Sequence, residues 1–303
     1  MKIVISGGTG FIGAYVLRHL SKGPHEIVLF TRSGNRTETI EAATVRYVHW
    51  NAYAAGVWMN EIDGTDVVIN LVGKNVVEER WNERAKQEMY DSRIIPTKLI
   101  VDAIGSAPSK PSLLISASAV GFYGDRESET ITEESSGGND FLAYVVREWE
   151  GAAYRAEQYG VRVATPRTGL VLAKNGGMIA KMMLPFQLFL GGPIGNGRQY
   201  LPWIHIDDVV RGMLFAIENN DFRGVYNLVA PYPVTMEEFA RTFGNVLHRP
   251  SWLPVPSFVL KAMFGEGGKV ILSGQRTLPK KLLTAGFVFS HVELKSALEK
   301  ILK

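Results

Sequence analysis

A doubly wound, parallel α/β sheet with a smaller, mainly helical lobe after it is the fold this sequence predicts, from three features. Residues 2–5 are a short apolar run that opens at once into evenly spaced Gly7, Gly10 and Gly13. Strand-like and helical stretches then alternate through the first half, the pattern of a parallel sheet covered on both faces. Past residue 170 the texture changes to glycine-punctuated loops around an apolar helix, followed by a proline-containing helical tail.

The elements follow in order. The strand over 2–5 leads into a helix over Phe11–Leu20, and a second strand covers 26–31. Further strands fall at Thr44–His49, Asp66–Leu71, Leu113–Ser116 and Val161–Pro166. Asn82–Ile104 reads as one long helix that Pro96 should kink or restart. Asn139–Tyr159 reads as another, capped by Asn139 or Asp140 and stopped by Gly160. A short αβ unit returns at 205–229. The expected division is therefore a nucleotide-binding domain of 1–169 plus 205–229, and a substrate lobe of 170–204 plus 230–303, with a ligand in the cleft between them.

The glycine turn carries the first functional inference. A tight strand–helix turn aims backbone N–H groups and the helix's positive end at a diphosphate, and glycine lets the backbone come close. This is the Rossmann-type arrangement, although methyltransferases also use glycine-rich turns. The second strand ends in Thr31-Arg32-Ser33, where an NAD-binding fold usually places Asp or Glu on the ribose hydroxyls. Arginine there can clamp a 2′-phosphate, with Ser33 adding a hydroxyl, so NADP is the cofactor expected. The competing reading of Arg32 is a solvated loop charge.

Composition bounds the rest. With 46% apolar and 21% charged residues the 303-residue chain reads as an ordinary globular protein. A formal charge of +3 without a basic block gives no nucleic-acid track. The absence of cysteine excludes disulfides and thiolate chemistry. The six histidines show no ligand spacing, so no metal is expected. The most apolar stretch, Met182–Leu190, is too short to span a bilayer and is broken by Pro185 and Gln187. A cytoplasmic protein with a small-molecule substrate, and no nucleic-acid or membrane partner, is expected; no oligomeric state is legible.

Several segments resemble a known family. Gly7-Gly8-Thr9-Gly10-Phe11-Ile12-Gly13 is similar to the fingerprint of extended short-chain dehydrogenases/reductases. Ser116–Gly124, Pro166–Gly169 and Trp203–Asp208 agree with it. Asn70–Asn75 and the tail Leu278–Phe289 more narrowly resemble the "epimerase family protein" group. That group is similar to nucleoside-diphosphate-sugar epimerases and carries a C-terminal domain of unknown function. The resemblance implies a Rossmann-type fold and NADP binding. It places Gly7, Gly10, Phe11, Ile12 and Gly13 on the diphosphate, and Arg32 with Ser33 at the adenosine phosphate. Leu71 and Gly73 would lie along the ribose and diphosphate, with His49 and Trp50 beside the adenine. Trp50 also reads as packing at a strand end.

Reductases of this superfamily use a serine, a tyrosine and a lysine four residues after the tyrosine. On a helix these two share a face, so the lysine can hold the nicotinamide ribose and lower the tyrosine pKa. Tyr144 falls in the expected helix, but position 148 is Glu, which disfavours a tyrosinate. Arg147, at i+3, is a poor substitute for lysine. Tyr144 thus reads either as catalytic or as an incidental helix tyrosine. Ser118 is the preferred serine over Ser116, against a strand-end serine bonded to its own loop; Tyr123 is a second proton-donor candidate or a packing residue. Arg198 and Gln199, on a glycine-rich loop, are candidates for a substrate phosphate or carboxylate. Phe186, Phe189, Tyr200 and Trp203 are candidates for the pocket wall. His205 reads as a structural anchor, and Asp207 and Asp208 as helix-start caps.

Two functions are expected from this. One is an NADP(H)-dependent oxidoreductase or epimerase-like enzyme on a small polar, nucleotide-sugar-like substrate. The other, favoured by Glu148, is an NADP-binding sensor or interaction protein with little or no turnover.

Overall fold

The computed structural model describes residues 1–174 and 176–302. Its centre is a nine-stranded sheet. In chain order the sheet strands are β1 (Lys2–Ser6), β2 (Glu26–Thr31), β3 (Arg36–Ile40), β4 (Ala43–His49), β5 (Val67–Asn70), β6 (Leu113–Ser116), β7 (Ser118–Ala119), β8 (Arg162–Thr168) and β9 (Gly224–Leu228). Their spatial order is β9-β8-β6-β5-β1-β2-β4-β3, with β7 beside β8, and every pair is parallel except β3–β4.

Four helices cover the sheet: α1 (Phe11–Leu20), α2 (Glu83–Ser106), α3 (Phe141–Tyr154) and, later in the chain, α5 (Ile206–Glu218), with α4 (Gly177–Gln187) before it. Side chains alternate across each strand. Ile3 and Ile5 pack with Val16 and Leu20 of α1 and Val209 and Met213 of α5. Val4, between them, faces the opposite way and packs with Ile100, Val101 and Ile104 of α2 and Ala153 of α3. Burial on both faces explains the near-continuous apolar runs of the strands.

The helix starts follow from their caps. Asn82 and Asp140 accept the backbone N–H of Ala85 and Ala143, each at 2.8 Å. A 3₁₀ turn over Arg155–Tyr159 prolongs α3 until Gly160 ends it at φ +77°. The restart expected at Pro96 does not occur: α2 runs through it unbroken. Pro96 is buried in a stripe with Ile94, Thr97, Ile100 and Val101, and packing on both sides holds the helix across the lost hydrogen bond. The β3 edge strand was not expected. Its Arg-Thr-Glu-Thr face is exposed and shows no apolar alternation.

A separate core gathers Leu172, Ile179, Met182, Phe186, Trp203, Phe239, Phe243 and Leu298. The tail contributes to both cores, since Leu282, Phe287 and Phe289 pack with the residues around α1 and α5. No helix among the described residues is long and apolar enough to cross a membrane.

Candidate cofactor and active site

The strand order reverses at β1: β2 and β4 lie to one side, β5, β6 and β8 to the other. Such a switch point opens a crevice at the carboxyl ends of the strands. The glycine turn sits there. Gly7 has φ +76°, and a Cβ on it would come 2.8 Å from the carbonyl carbon of Leu71, the residue after β5. A Cβ on Gly13 would stand 2.2 Å from the Gly7 carbonyl oxygen. The Gly10 N–H closes the turn on that same oxygen at 3.0 Å. No side chain caps α1, and its first turn holds no acid. Its leading N–H groups therefore keep their positive end for an external anion. Phe11 and Ile12 begin the helix, and Gly176 packs so closely on the Phe11 ring that a Cβ would approach it to 2.6 Å.

Across the crevice, Thr31 of β2 is in register with His49 of β4. The Asn35 side chain accepts the His49 N–H at 2.6 Å, folding the 32–35 segment onto the end of β4. Arg32, Ser33 and His49 are thus exposed together, and Arg32 makes no ion pair among the described residues. Trp50, considered both for the adenine and for packing, follows His49 at the end of β4. Its ring is buried against Phe30 and Trp58, at 5.2 and 5.1 Å between centroids, so its surroundings favour the packing reading.

Below the crevice lies a polar chain that the sequence did not disclose. Ser6 donates to Asn70 Oδ1 at 2.8 Å, and Asn70 Nδ2 donates to Thr97 Oγ1 at 2.9 Å. Trp149 Nε1 donates to the same hydroxyl at 3.1 Å. One buried network thereby joins β1, β5, α2 and α3.

A second network holds Ser118. Its hydroxyl donates to Glu150 Oε1 at 2.5 Å. Arg167 of β8 meets Glu150 with two bonds of 2.8 Å, both side chains being at most 7% exposed. Arg167 also donates to the Tyr123 hydroxyl at 3.1 Å and lies 3.4 Å over the Phe122 ring. The Tyr123 hydroxyl donates to Asn227 Oδ1 at 2.7 Å. Burial pushes the Tyr123 pKa up, opposed by Arg167 and Asn227. Tyr123 is fully buried and its proton is committed to Asn227, an arrangement that suits packing better than proton delivery. Glu150 and Asn227 were not singled out in the sequence, and Arg167 only within the family-like segment Pro166–Gly169, because their partners lie far along the chain.

Tyr144 is 48% exposed on α3 and stacks on Tyr90 of α2, centroids 5.9 Å apart. Glu148 is exposed one turn on. Arg147 is turned away to the Gly138 carbonyl at 2.8 Å.

On the glycine-rich loop, Arg198 is exposed and its N–H is held by Asn196 Oδ1 at 2.9 Å. Gln199 is buried; its Nε2 donates to the Ile194 carbonyl, while its Oε1 has no partner among the described residues. Trp203 and Phe186 are buried in the second core, with the Trp203 indole N–H on the Tyr232 carbonyl at 3.0 Å. They can back a pocket wall but do not present a face to it. Phe189 is exposed, and Tyr200 is half-buried, with the Arg276 guanidinium 5.2 Å from its ring centre.

His205 caps α5, its Nδ1 accepting the Asp207 N–H at 3.1 Å. It stacks on His291 at 3.9 Å. Burial, reinforced by His291, pulls the His205 pKa down to about 4. Asp208 is fully buried and accepts the N–H groups of Ser290 and His291, both at 2.8 Å, tying the tail to α5. His205, Asp207 and His291 could bring three ligand atoms to one ion. However, His205 Nδ1 is spent on the cap, and Lys300 Nζ already lies 3.0 Å from Asp207.

A parallel sheet in this order, with a glycine turn and an uncapped helix at its switch point, defines a Rossmann-type fold. The chain belongs to the NAD-dependent epimerase/dehydratase family, which matches residues 3–228, and residues 255–301 match a domain of unknown function, DUF1731. It is 42% identical over 305 residues to the chloroplastic epimerase family protein SDR39U1 homolog of Arabidopsis thaliana, covering all of this chain and 87% of that protein. It is 39% identical over 303 residues to the epimerase family protein YfhF of Bacillus subtilis, covering 100% and 98% of the two chains. Among solved structures, human epimerase family protein SDR39U1 (isoform 2) with NADPH superposes with a TM-score of 0.88. The identity there is 35%, over 99% of each chain.

Proposed function

We propose that this chain binds NADP(H) at the switch point and acts as an oxidoreductase or epimerase-like enzyme on a small polar, nucleotide-sugar-like substrate. The observation that carries the reading is the cradle. Gly7 and Gly13 leave no room for a side chain, and α1 offers its uncapped amino end above them. The relationship to a human protein solved with NADPH supports the same cofactor. Gly7, Gly10, Phe11, Ile12 and Gly13 hold the diphosphate, with Leu71 and Gly73 alongside, and Arg32 and Ser33 take the 2′-phosphate beside His49. A nicotinamide held there would supply hydride transfer to or from a carbon bearing oxygen.

The chain's own residues position and move the proton in this reading. Ser118, its hydrogen directed to Glu150, keeps its lone pairs for a substrate hydroxyl. Tyr144 is the exposed phenol on the same helix as Glu150. Residues 1–169 with 205–229 carry the cofactor, and 170–204 with 230–303 supply the substrate side, including Arg198. Stopped-flow oxidation of bound NADPH against a panel of carbonyl compounds tests the activity. Cofactor oxidation by at least one compound is expected.

A second reading, an NADP-binding sensor without turnover, draws on Ser118 being locked to Glu150 and on Glu148 facing solvent where a lysine is expected. Tight NADPH binding with no oxidation by any carbonyl would select it.

A further inference from the structure

Arg93, in the middle of α2, is a further charge beside the crevice whose placement calls for an anion. Its side chain runs along Gly73: a Cβ built on that glycine would lie 3.2 Å from the guanidinium carbon and 3.3 Å from Nε. Nη2 donates to the Lys74 carbonyl at 2.7 Å and Nη1 to the Met89 carbonyl at 2.9 Å. The guanidinium stands 5.3 Å over the Trp149 ring of α3. A guanidinium has five N–H donors, so the two carbonyls leave three unused. No carboxylate among the described residues bonds to it or pairs with it. Burial alone acts on its ionisation, drawing the pKa down to about 10 and leaving it charged at neutral pH. Elsewhere in the chain the buried Arg167 is neutralised by Glu150. Arg93 is half-buried and held only by carbonyls, so its remaining donors are open to an anion that enters beside Gly73.

Its position says which ligand. The diphosphate cradle lies on Leu71, whereas Arg93 lies against Gly73, two residues farther from the end of β5. It stacks on Trp149, the neighbour of the Glu150 that holds Ser118. We propose that Arg93 is an oxyanion-binding residue of the substrate site, receiving a carboxylate or phosphate of the substrate beside the group that reacts. This rests on the NADP-dependent reading and adds to it that an anionic group of the substrate sits against Gly73 and Trp149, beside the carbon that reacts. A side chain at position 73 would press on the guanidinium, which Gly73 leaves free to lie along the backbone, with the Trp149 ring on its other side.

The test uses the full-length chain saturated with NADPH, titrated by calorimetry with inorganic phosphate and separately with malonate, at constant ionic strength kept with chloride. Saturable binding of at least one anion is expected, and the arm that binds more tightly shows whether phosphate or carboxylate is preferred. R93Q should weaken it by about tenfold or more while leaving NADPH affinity within about threefold. R93K, which keeps the charge but not the fork, should fall between them and serves where R93Q does not fold. The proposal is overturned if the wild-type complex binds neither anion, or if R93Q and R93K bind as wild type. It is equally overturned if R93Q loses NADPH affinity by about tenfold, which would make the anion the cofactor's own phosphate. A wild-type chain that binds no NADPH would instead refute the cofactor reading, and titration of the free chain would still test Arg93.

Discussion

Glu150→Gln should be the most damaging conservative substitution in the active region. Glu150 accepts three hydrogen bonds, two from Arg167 at 2.8 Å and one from Ser118 at 2.5 Å, in a site nearly closed to water. The amide keeps the shape and one acceptor oxygen but removes the charge that compensates Arg167, and turns an NH₂ toward the guanidinium or the serine. Breaking a buried pair by removing one partner costs about 3–5 kcal/mol, against about 5–15 kcal/mol for a whole domain. The cation–π contact with Phe122 and the bond to Tyr123 do not offset it, because both require Arg167 to stay where its charge is unpaired. Arg167→Met, which strands the carboxylate, should cost a similar amount. The double variant should cost about 2 kcal/mol or more less than the sum of the singles, the signature of direct coupling. Urea denaturation followed by circular dichroism, with midpoints converted at a common slope, measures all three. A single-variant cost below about 1 kcal/mol, as for an exposed pair, or strict additivity, would show that the network does not carry this energy.

Other outcomes follow from the same structure. Gly13→Ala puts a methyl 2.2 Å from the Gly7 carbonyl oxygen and 2.6 Å from the Gly8 Cα. Neither backbone atom can swing aside, so the turn must open and NADPH binding should fall by at least about 2 kcal/mol in calorimetry; unchanged affinity would place the cofactor elsewhere. Arg32→Ala should weaken NADPH by about 1.5–3 kcal/mol with NADH nearly unaffected, and equal weakening would refute the 2′-phosphate contact. The folded chain holds His205 neutral, with a pKa of about 4 against 6.5 in the unfolded chain. The unfolded state therefore takes up the proton first as pH falls, and stability drops by about 3 kcal/mol between pH 6.5 and pH 4. His205→Asn, which can still cap α5, should flatten that part of the pH–stability curve; an unchanged slope would show that other groups produce it.

Local pattern made the sheet legible and left its polar contacts hidden. The apolar runs of β1, β2 and β6 and the glycine turn are continuous in sequence, and their backbone requirements are written in adjacent residues. Asn82, Asp140 and Gly160 announced helix ends because capping acts within one turn. The β3 edge was missed because an exposed strand paired on one side needs no apolar face. At Pro96 packing carries the helix past a local breaker, so no restart follows. Glu150 and Arg167 are 17 residues apart, and Asn70 and Thr97 are 27 apart, so no periodicity joins them. Arg93 looks like any helix charge until the structure shows that no acid among the described residues answers it. Tyr144 and Glu148 were readable as a pair; what the fold adds is that the tyrosine lies on Tyr90.

The cradle itself is most directly tested by titrating the purified chain with NADPH and with NADH by calorimetry. A saturable one-to-one heat for NADPH is expected, with NADH weaker by about tenfold or more for want of the phosphate that Arg32 and Ser33 are proposed to receive. No heat from NADPH would contradict the nucleotide site at Gly7–Gly13, and equal heats and affinities would remove the guanidinium's part in choosing between the coenzymes.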